Sequence, residues 1–163
     1  MQDLCRQAID AALGAGASYA DARAIVRRSQ LVTTKNGEVE TVSDAETGGI
    51  GVRVLVGGAW GFACDRRLED AGACDAAQRA AAFARAAPGS HERELAPLEP
   101  QRGSYRTEFE RDPVEVPLAD KIALCLRADE ALAHDDVKVR MASVRALREE
   151  KVFVSSEGSV VEQ

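Results

Sequence analysis

The chain has 163 residues, with 21 basic and 27 acidic side chains and a formal net charge of −6. This acidic balance argues against a nucleic-acid-binding module, which normally carries a basic patch. No apolar run approaches the roughly 20 residues that a membrane-spanning helix needs. The first residues lack the basic and apolar regions of a secretory signal, so we expect a cytoplasmic protein. Apolar residues make up 45% of the chain and aromatic residues 4%, which predicts an aliphatic, alanine-rich core.

The N-terminal part predicts a helix followed by a strand. The helix runs from Asp3 to Leu13 and ends at Gly14 and Gly16, since glycine commonly follows a helix C-terminus. Apolar and charged residues then alternate from Tyr19 to Arg28, which is typical of a half-buried strand. Small apolar residues form one face of each element: Leu4, Ala8, Ala11 and Ala12 on the helix, and Ala20, Ala22, Ala24 and Val26 on the strand.

Two hairpins are predicted next. Asn36-Gly37 joins strands 31–34 and 39–42, because both residues tolerate the positive φ of a type I′ turn. Gly57-Gly58 joins a separate strand, 48–56, to a strand 59–64. In this second hairpin we expect Ile50, Val52, Val54 and Val56 on one face, Gly49, Gly51 and Arg53 on the other, and Trp60, Phe62 and Cys64 together on one face.

An alanine-rich helix from Glu69 to Ala87 follows. The span 88–117 then contains all five prolines and shows no convincing period, so we interpret it as a long surface connection. Connections of this length are uncommon within compact domains and are often functional.

The C-terminal part predicts a helix, a strand and a hairpin. The helix runs from Pro117 to about Ala133, and Val137–Ala142 alternates as a strand. The hairpin pairs 152–154 with 160–161. Because the chain given stops soon after Val161, we expect an open strand edge there that pairs with another copy. The apolar stripe of the helix is expected to contain Leu118, Ile122, Cys125, Leu126 and Leu132.

These elements predict an α+β fold, with a mostly antiparallel sheet of hairpins and helices packed on one face, as a single domain over residues 1–163. The segment 31–40 resembles 153–162, and each follows a helix and an arginine-bearing strand. This similarity indicates an internal duplication of a helix–strand–hairpin unit. The alternative, that two unrelated hairpins look alike, stays open.

Motifs for cofactor binding are absent from the sequence. Gly49-x-Gly51 lacks the third glycine of a dinucleotide-binding loop, since Val54 stands there, and a strand follows instead of a helix. His91-Glu92 has no second histidine one helical turn further on, where Leu95 and Ala96 stand. We therefore predict no cofactor in this chain.

No catalytic or metal-ligating residue is predicted either. The cysteines form no C-x-x-C pair and lie near neither histidine, and the three that fall on predicted helices, Cys5, Cys74 and Cys125, are expected to be small buried thiols. His134 follows a helix end, where a capping or solvated role is expected. The acidic cluster near it is interpreted as a solvated helix end. The cysteines are Cys5, Cys64, Cys74 and Cys125, and the acidic cluster is Asp129, Glu130, Asp135 and Asp136.

The most informative residues are the glycines inside the predicted strands. Gly51 and Gly61 either make room for the alanine-rich helix or mark a surface on which another chain lies against the sheet. In the second interpretation, Arg53, Trp60 and Phe62 form a candidate substrate or partner surface.

The runs Gly49–Leu55 and Gly58–Ala63 resemble the N-terminal region of the TldD/PmbA family. Their residue pattern is more similar to TldD than to PmbA (TldE). The order of the surrounding elements, from the early helix to the hairpin at Ser155–Ser159, is similar as well. This resemblance implies a cytoplasmic zinc metallopeptidase that cleaves unfolded or extended peptides, works with a second TldD/TldE-like subunit and carries the label modulator of DNA gyrase.

The family's H-E-x-x-x-H motif and later cysteine are absent from this chain, so no catalytic residue is carried over. The resemblance implies an inactive N-terminal fragment whose zinc site belongs to the full-length protein. Two hypotheses follow. The chain is either an accessory domain that controls substrate access, in part by strand addition, or a non-catalytic module for protein interaction and assembly.

Overall fold

The computed structural model describes residues 1–87 and 95–163. This part of the chain contains three helices and a six-stranded sheet with the strand order β3-β2-β1-β5-β6-β4. The pairs β2–β3 and β5–β6 are antiparallel, and β4–β6 is parallel. The α+β class is therefore confirmed. In chain order the elements are α1 (Gln2–Gly14), β1 (Tyr19–Lys35), β2 (Glu38–Val56), β3 (Ala59–Asp65), α2 (Asp70–Ala86), β4 (Arg102–Ser104), α3 (Leu118–Ala131), β5 (Met141–Ser155) and β6 (Val160–Glu162).

Two tight turns define the first three strands. Asn36 and Gly37 have φ values of 50° and 84°, and Gly57 and Gly58 have values of 55° and 78°. Positive φ at both central residues gives the twist that a two-residue hairpin needs. Both predicted hairpins are confirmed.

Three predicted strand boundaries are wrong. β1 and β2 are continuous strands of 17 and 19 residues, where we expected two strands in each case. Residues 38–48 of β2 are all exposed, so apolar alternation could not identify them as a strand. Val137–Arg140 is not a strand, and β5 begins only at Met141. Arg140 instead fastens the first hairpin turn: its N–H donates to Asn36 Oδ1 at 2.8 Å, and its carbonyl accepts from the Asn36 N–H at 3.0 Å.

The predicted open edge at the last strand is also wrong. β6 pairs with β5 on one side, as predicted, and with β4 on the other. Backbone hydrogen bonds flank the short parallel pair, from Val160 N–H to the Gln101 carbonyl at 2.8 Å and from Tyr105 N–H to the Glu162 carbonyl at 2.9 Å. Part of the proline-containing span 88–117 thus covers the last hairpin. The extent of the domain stays a prediction.

The chain divides into two compact units. Unit 1 comprises Met1–Val26, Thr47–Arg106 and Glu150–Gln163. Its α1 and α2 pack against each other, and α2 packs on β3. The core between helices and strands consists mainly of alanine and valine: Ala8, Ala12, Ala20, Ala22, Ala24, Ile50, Val52, Val54, Ala63, Ala73, Ala76, Ala77, Ala80, Ala81, Ala84, Val152 and Val154.

Unit 2 comprises Arg27–Glu46 and Thr107–Glu149, and its helix is α3. The helix buries Lys121, Cys125 and Asp129. Of the apolar stripe that we predicted, Cys125 is buried, Leu118, Ile122 and Leu126 are half-buried, and only Leu132 is exposed. The thiol of Cys125 lies against the Val32 carbonyl at 3.9 Å. The Lys121 ammonium donates to the Gln30 side-chain carbonyl and, at 2.8 Å, to the Val116 carbonyl. Polar groups at helical spacing are thus buried because each finds a partner.

Gly61 is where α2 approaches the sheet of unit 1. A Cβ atom at this position would overlap the carbonyl oxygen of Ala80 and lie 2.8 Å from the Ala84 nitrogen. The helix backbone therefore occupies the space of the missing side chain. The prediction that a strand glycine makes room for the alanine-rich helix is confirmed for Gly61.

Replacing Gly61 by alanine should force α2 away from β3 and lower the free energy of unfolding by about 1–3 kcal/mol. Urea denaturation of the two proteins measures this loss. Gly51→Ala is the matched control: its Cβ would lie 3.2 Å from the ring of exposed Phe62, which can rotate away. Equal losses in the two variants would contradict the assignment of the close contact to Gly61.

Candidate functional site

The strands of unit 1 expose the face opposite to α1 and α2. Residues 20, 22, 24, 50, 52 and 54 are buried in the core with the helices, so the residues between them lie on the other side of the sheet. We call this side the outer face of unit 1. The register of β2 and β3 places Phe62 opposite Arg53 and Trp60 opposite Leu55. The three residues predicted from the sequence as a surface therefore lie together on the outer face.

Arg53 lies at the centre of a network of contacts. Its Nη2 and Nε donate to Asp21 Oδ2 at 2.6 and 2.8 Å, and its guanidinium lies 4.9 Å from the centre of the Trp60 ring. The Asp21 side chain is only 5% exposed, which makes this a partly buried ion pair. Such a pair holds the guanidinium in one orientation on the indole ring.

Tyr19 completes this network. Its hydroxyl donates to Asp21 Oδ2 at 3.0 Å, and its ring meets Trp60 edge to face, with the centroids 5.8 Å apart. Burial, together with the negative charge of Asp21 and the hydrogen bond to it, raises the pKa of Tyr19 to about 12. Tyr19 and Asp21 were not selected from the sequence, because only the tertiary pairing brings their strand beside β2.

Phe62 is the most exposed member of the surface, with 60% of its area accessible. A Cβ on Gly51 would lie 3.2 Å from its ring, so Gly51 makes room for Phe62. The interpretation of Gly51 as space for the alanine-rich helix is therefore wrong, because Gly51 lies on the outer face. Aromatic residues are enriched at the contact surfaces between proteins.

A second arginine–aromatic pair lies on the same face. The Arg23 guanidinium lies 5.0 Å from the centre of the Phe153 ring, on β5. In the sequence, Arg23 is one of the charged residues that alternate with alanine in the strand predicted from Tyr19 to Arg28, and Phe153 belongs to the last predicted hairpin. A signal was present in the alternation of β1, where Tyr19, Asp21 and Arg23 share one side.

The acidic cluster near the end of α3 is not a solvated helix end throughout. The Asp129 side chain is fully buried and accepts from Arg140 Nε at 2.8 Å. This hydrogen bond lowers the pKa of Asp129. The interpretation as a solvated cluster is therefore wrong for Asp129, whose charge fixes the segment before β5. His134 is exposed.

The cysteines and His91 are the remaining residues that were considered from the sequence as metal ligands or catalytic groups. Cys5 and Cys125 are buried free thiols, as predicted, whereas Cys64 is exposed and Cys74 is half-buried. His91-Glu92 lies outside the described residues. Within residues 1–87 and 95–163, no group of three or more His, Cys, Asp or Glu side chains could hold a metal ion. These residues do not fit a metal site, so we derive no catalytic step through one.

None of the helices in the described ranges is both long and apolar enough to cross a membrane.

Two family models match successive parts of the chain. The model of the PmbA/TldA metallopeptidase domain 1 matches residues 20–86, and that of the PmbA/TldA metallopeptidase central domain matches residues 111–163. The chain belongs to the PmbA/TldD family. The resemblance noted in the Gly49–Ala63 region is therefore confirmed, and it extends over most of the chain.

Relatives of this family are named metalloproteases. The chain is 28% identical over 144 residues to a metalloprotease of Methanothermobacter thermautotrophicus, covering 88% of the chain and 31% of the relative. It is 32% identical over 135 residues to a metalloprotease of Synechocystis, covering 81% of the chain and 28% of the relative. The chain thus spans about a third or less of the length of these relatives.

Solved structures share the fold. A protein from Bacteroides thetaiotaomicron, described as a modulator of DNA gyrase, superposes with a TM-score of 0.84 at 18% identity, over 99% of this chain and 38% of that one. TldE from Thermococcus kodakarensis superposes with a TM-score of 0.76 at 18% identity, over 98% of this chain and 36% of that one. At 18% identity these structures share the fold of the chain, and they do not show that the residues of the outer face are shared.

The pKa of Tyr19 gives a direct test of the network. A Tyr105→Phe chain keeps Tyr19 as its single tyrosine, and its ultraviolet absorbance should show phenolate formation near pH 12. Because the folded-state pKa is raised above the unfolded value, the contribution of Tyr19 to stability is present below about pH 10 and is lost as the pH rises toward 12. Asp21→Asn should lower the midpoint, since it removes the negative charge beside the hydroxyl. An unchanged midpoint would contradict the contact.

Proposed function

We propose that this chain is the substrate-access part of a TldD-like metallopeptidase that cleaves unfolded or extended peptides, and that the catalytic residues lie outside it. Family membership supports the peptidase-related role. The sequence has no H-E-x-x-x-H motif, which supports the absence of catalysis by this chain alone. The exposed aromatic outer face around Phe62 is the observation on which the access role rests.

The edge strand β3 supports a mode of peptide recruitment. The two-residue turn at Gly57-Gly58 makes Val56 and Ala59 a hydrogen-bonded pair. Since such pairs alternate with non-bonded ones, the peptide groups of Trp60 and Phe62 point away from β2. The Cys64 carbonyl, which follows the same alternation, accepts from Arg79 at 2.7 Å. An extended peptide could add to β3 at Trp60 and Phe62 while its side chains contact the outer face.

The other properties of the full-length protein are proposals of the same kind. We propose a zinc ion in the catalytic part, a second TldD/TldE-like subunit as partner and a cytoplasmic location. The names of the relatives support a metal-dependent activity, and the fold shared with TldE supports an assembly of the TldD/TldE type. The acidic net charge of the chain gives no support to a direct role in nucleic-acid binding.

A second candidate is a non-catalytic module for assembly. The same exposed Phe62 and its neighbours could pack against another subunit, since aromatic residues and arginine are enriched in interfaces between proteins. Because both candidate functions use the same surface, a substitution in that surface distinguishes them: loss of peptide hydrolysis supports the access role, and loss of subunit association supports the assembly role.

Phe62→Ala in the whole protein should lower kcat/KM for an unfolded peptide by about 5-fold, since truncating a contact aromatic costs more than 1 kcal/mol of binding. Fluorogenic peptide hydrolysis measures this effect, and metal content and oligomeric mass should be unchanged. Phe83→Ala is the matched control: Phe83 is 58% exposed, on α2, away from the outer face. Weaker subunit association with unchanged kcat/KM would instead support the assembly role.

The chain by itself should neither hydrolyse peptides nor retain zinc. Incubation with a fluorogenic peptide mixture and metal analysis after gel filtration test the two statements. Stoichiometric zinc or measurable hydrolysis would place catalytic groups within residues 1–163 and overturn the access role.

A further inference from the structure

The two arginine–aromatic pairs of the outer face differ in how their charge is balanced. Arg53, on Trp60, is neutralised by Asp21 at 2.6 Å. Arg23, on Phe153, has the same arrangement on its ring but forms no ion pair with any carboxylate of the described residues. Its positive charge is therefore available on an exposed side chain.

The surroundings of Arg23 increase this positive charge. Lys151 precedes Phe153 by two positions on β5, so both side chains lie on the same side of the strand. Lys151 also forms no side-chain ion pair within the described ranges. Within the described residues of unit 1, the face thus presents Arg23, Arg53 and Lys151 beside Asp21, in a chain whose net charge is −6. The next acid on this side of β5, Glu149 of unit 2, is already paired with Arg27. A local positive excess in an acidic chain favours an anionic ligand at this face.

The ring beneath Arg23 determines the chemistry of that ligand. A guanidinium stacked on an aromatic face keeps the N–H groups at its edge free, and these groups match the two oxygens of a carboxylate. We propose that Arg23 binds a carboxylate of the extended peptide that lies on the outer face. This inference rests on the proposed function, and it adds a preference for acidic peptides.

The sheet geometry gives the position of the carboxylate within the peptide. Phe62 is on β3 and Arg23 is on β1, two strands away in the order β3-β2-β1. Two inter-strand spacings amount to roughly 10 Å, and Arg23 lies two residues, or about 7 Å, further along β1 than Asp21, the partner of Arg53 opposite Phe62. The separation is therefore about 12 Å, the length of three to four extended residues. A peptide that crosses the strands over the outer face, instead of adding along the edge of β3, and places an apolar side chain on Phe62 therefore carries its carboxylate three to four residues away. The carboxylate is either an acidic side chain or the C-terminus.

Trp60 provides a reporter at the site itself, since it is the single tryptophan of the chain. Its fluorescence emission can be followed while the chain is titrated with each of three peptides. The first peptide has leucine and, three residues later, glutamate, and both of its termini are blocked. The second replaces glutamate by glutamine, and the third keeps glutamine but has a free C-terminal carboxylate at that position. Far-UV circular dichroism checks that each variant keeps its fold.

The glutamate peptide, the free-carboxylate peptide or both should bind about 2- to 5-fold more tightly than the neutral peptide at low salt, the range for an exposed ion pair. Which of the two is preferred identifies the source of the carboxylate. The preference should disappear in Arg23→Gln and return in part in Arg23→Lys, which keeps the charge without the planar fork. Arg66→Gln, an exposed arginine of unit 1 with no ion pair among the described residues, should retain the preference.

Equal affinities for all three peptides in the unchanged chain, or a preference that persists in Arg23→Gln, would overturn this inference and leave the proposed function standing. Failure of every peptide to bind would overturn both.

Discussion

The close approach of α2 to β3 at Gly61 is the constraint on which unit 1 depends. The helix backbone occupies the place of a side chain on the strand, and this requires small residues on both surfaces. The buried face of α2 accordingly consists of alanines and one glycine: Gly72, Ala73, Ala76, Ala77, Ala80, Ala81 and Ala84. Such a core gains little area per residue, so its stability depends on dense contact between backbones.

Because α1 and α2 cover one face of the sheet of unit 1, every second side chain of its strands lies on the opposite face. Side chains alternate along a strand, so once Gly61 and Ala63 face α2, Trp60 and Phe62 must face away from it. The outer face therefore carries most of the large aromatic area of unit 1. Part of that area is shielded by the network of Arg53, Asp21 and Tyr19, while Phe62 remains exposed on Gly51.

In unit 2, buried polar contacts hold the helix against the neighbouring segments. The buried pair of Asp129 and Arg140 joins the end of α3 to the segment before β5, and Arg140 also binds the first hairpin turn through Asn36. Lys121 joins the start of the same helix to Gln30 on β1. The contacts of Lys121 with Gln30 and of Arg140 with Asn36 link segments distant in sequence, whereas Asp129 and Arg140 lie 11 residues apart. A buried charge that lost its partner would be strongly destabilising. Each of the two family models covers residues of both units, since 27–46 of unit 2 lie within the first match and 150–163 of unit 1 lie within the second.

The local elements and the family could be predicted from the amino-acid sequence. Periodicity located α1 and α3, alanine content located α2, the glycine and asparagine turns located the hairpins, and the Gly49–Ala63 region identified the PmbA/TldD family. Alternation also placed Trp60 and Phe62 on one side of their strand, so three residues of the candidate surface were predicted. These features depend on neighbours within a few residues, where backbone preferences and side-chain period decide the structure.

Tertiary structure alone decided which strands are neighbours. The pairing of β1 with β2 brings Asp21 to Arg53, and that of β1 with β5 brings Arg23 to Phe153, and neither contact can be read from spacing in the chain. The exposed half of β2, the cover that β4 gives to β6 and the burial of Asp129 escaped prediction for the same reason. A polar residue is buried or exposed according to its partner, and the alternation of residue types along the chain does not show which residue that partner is.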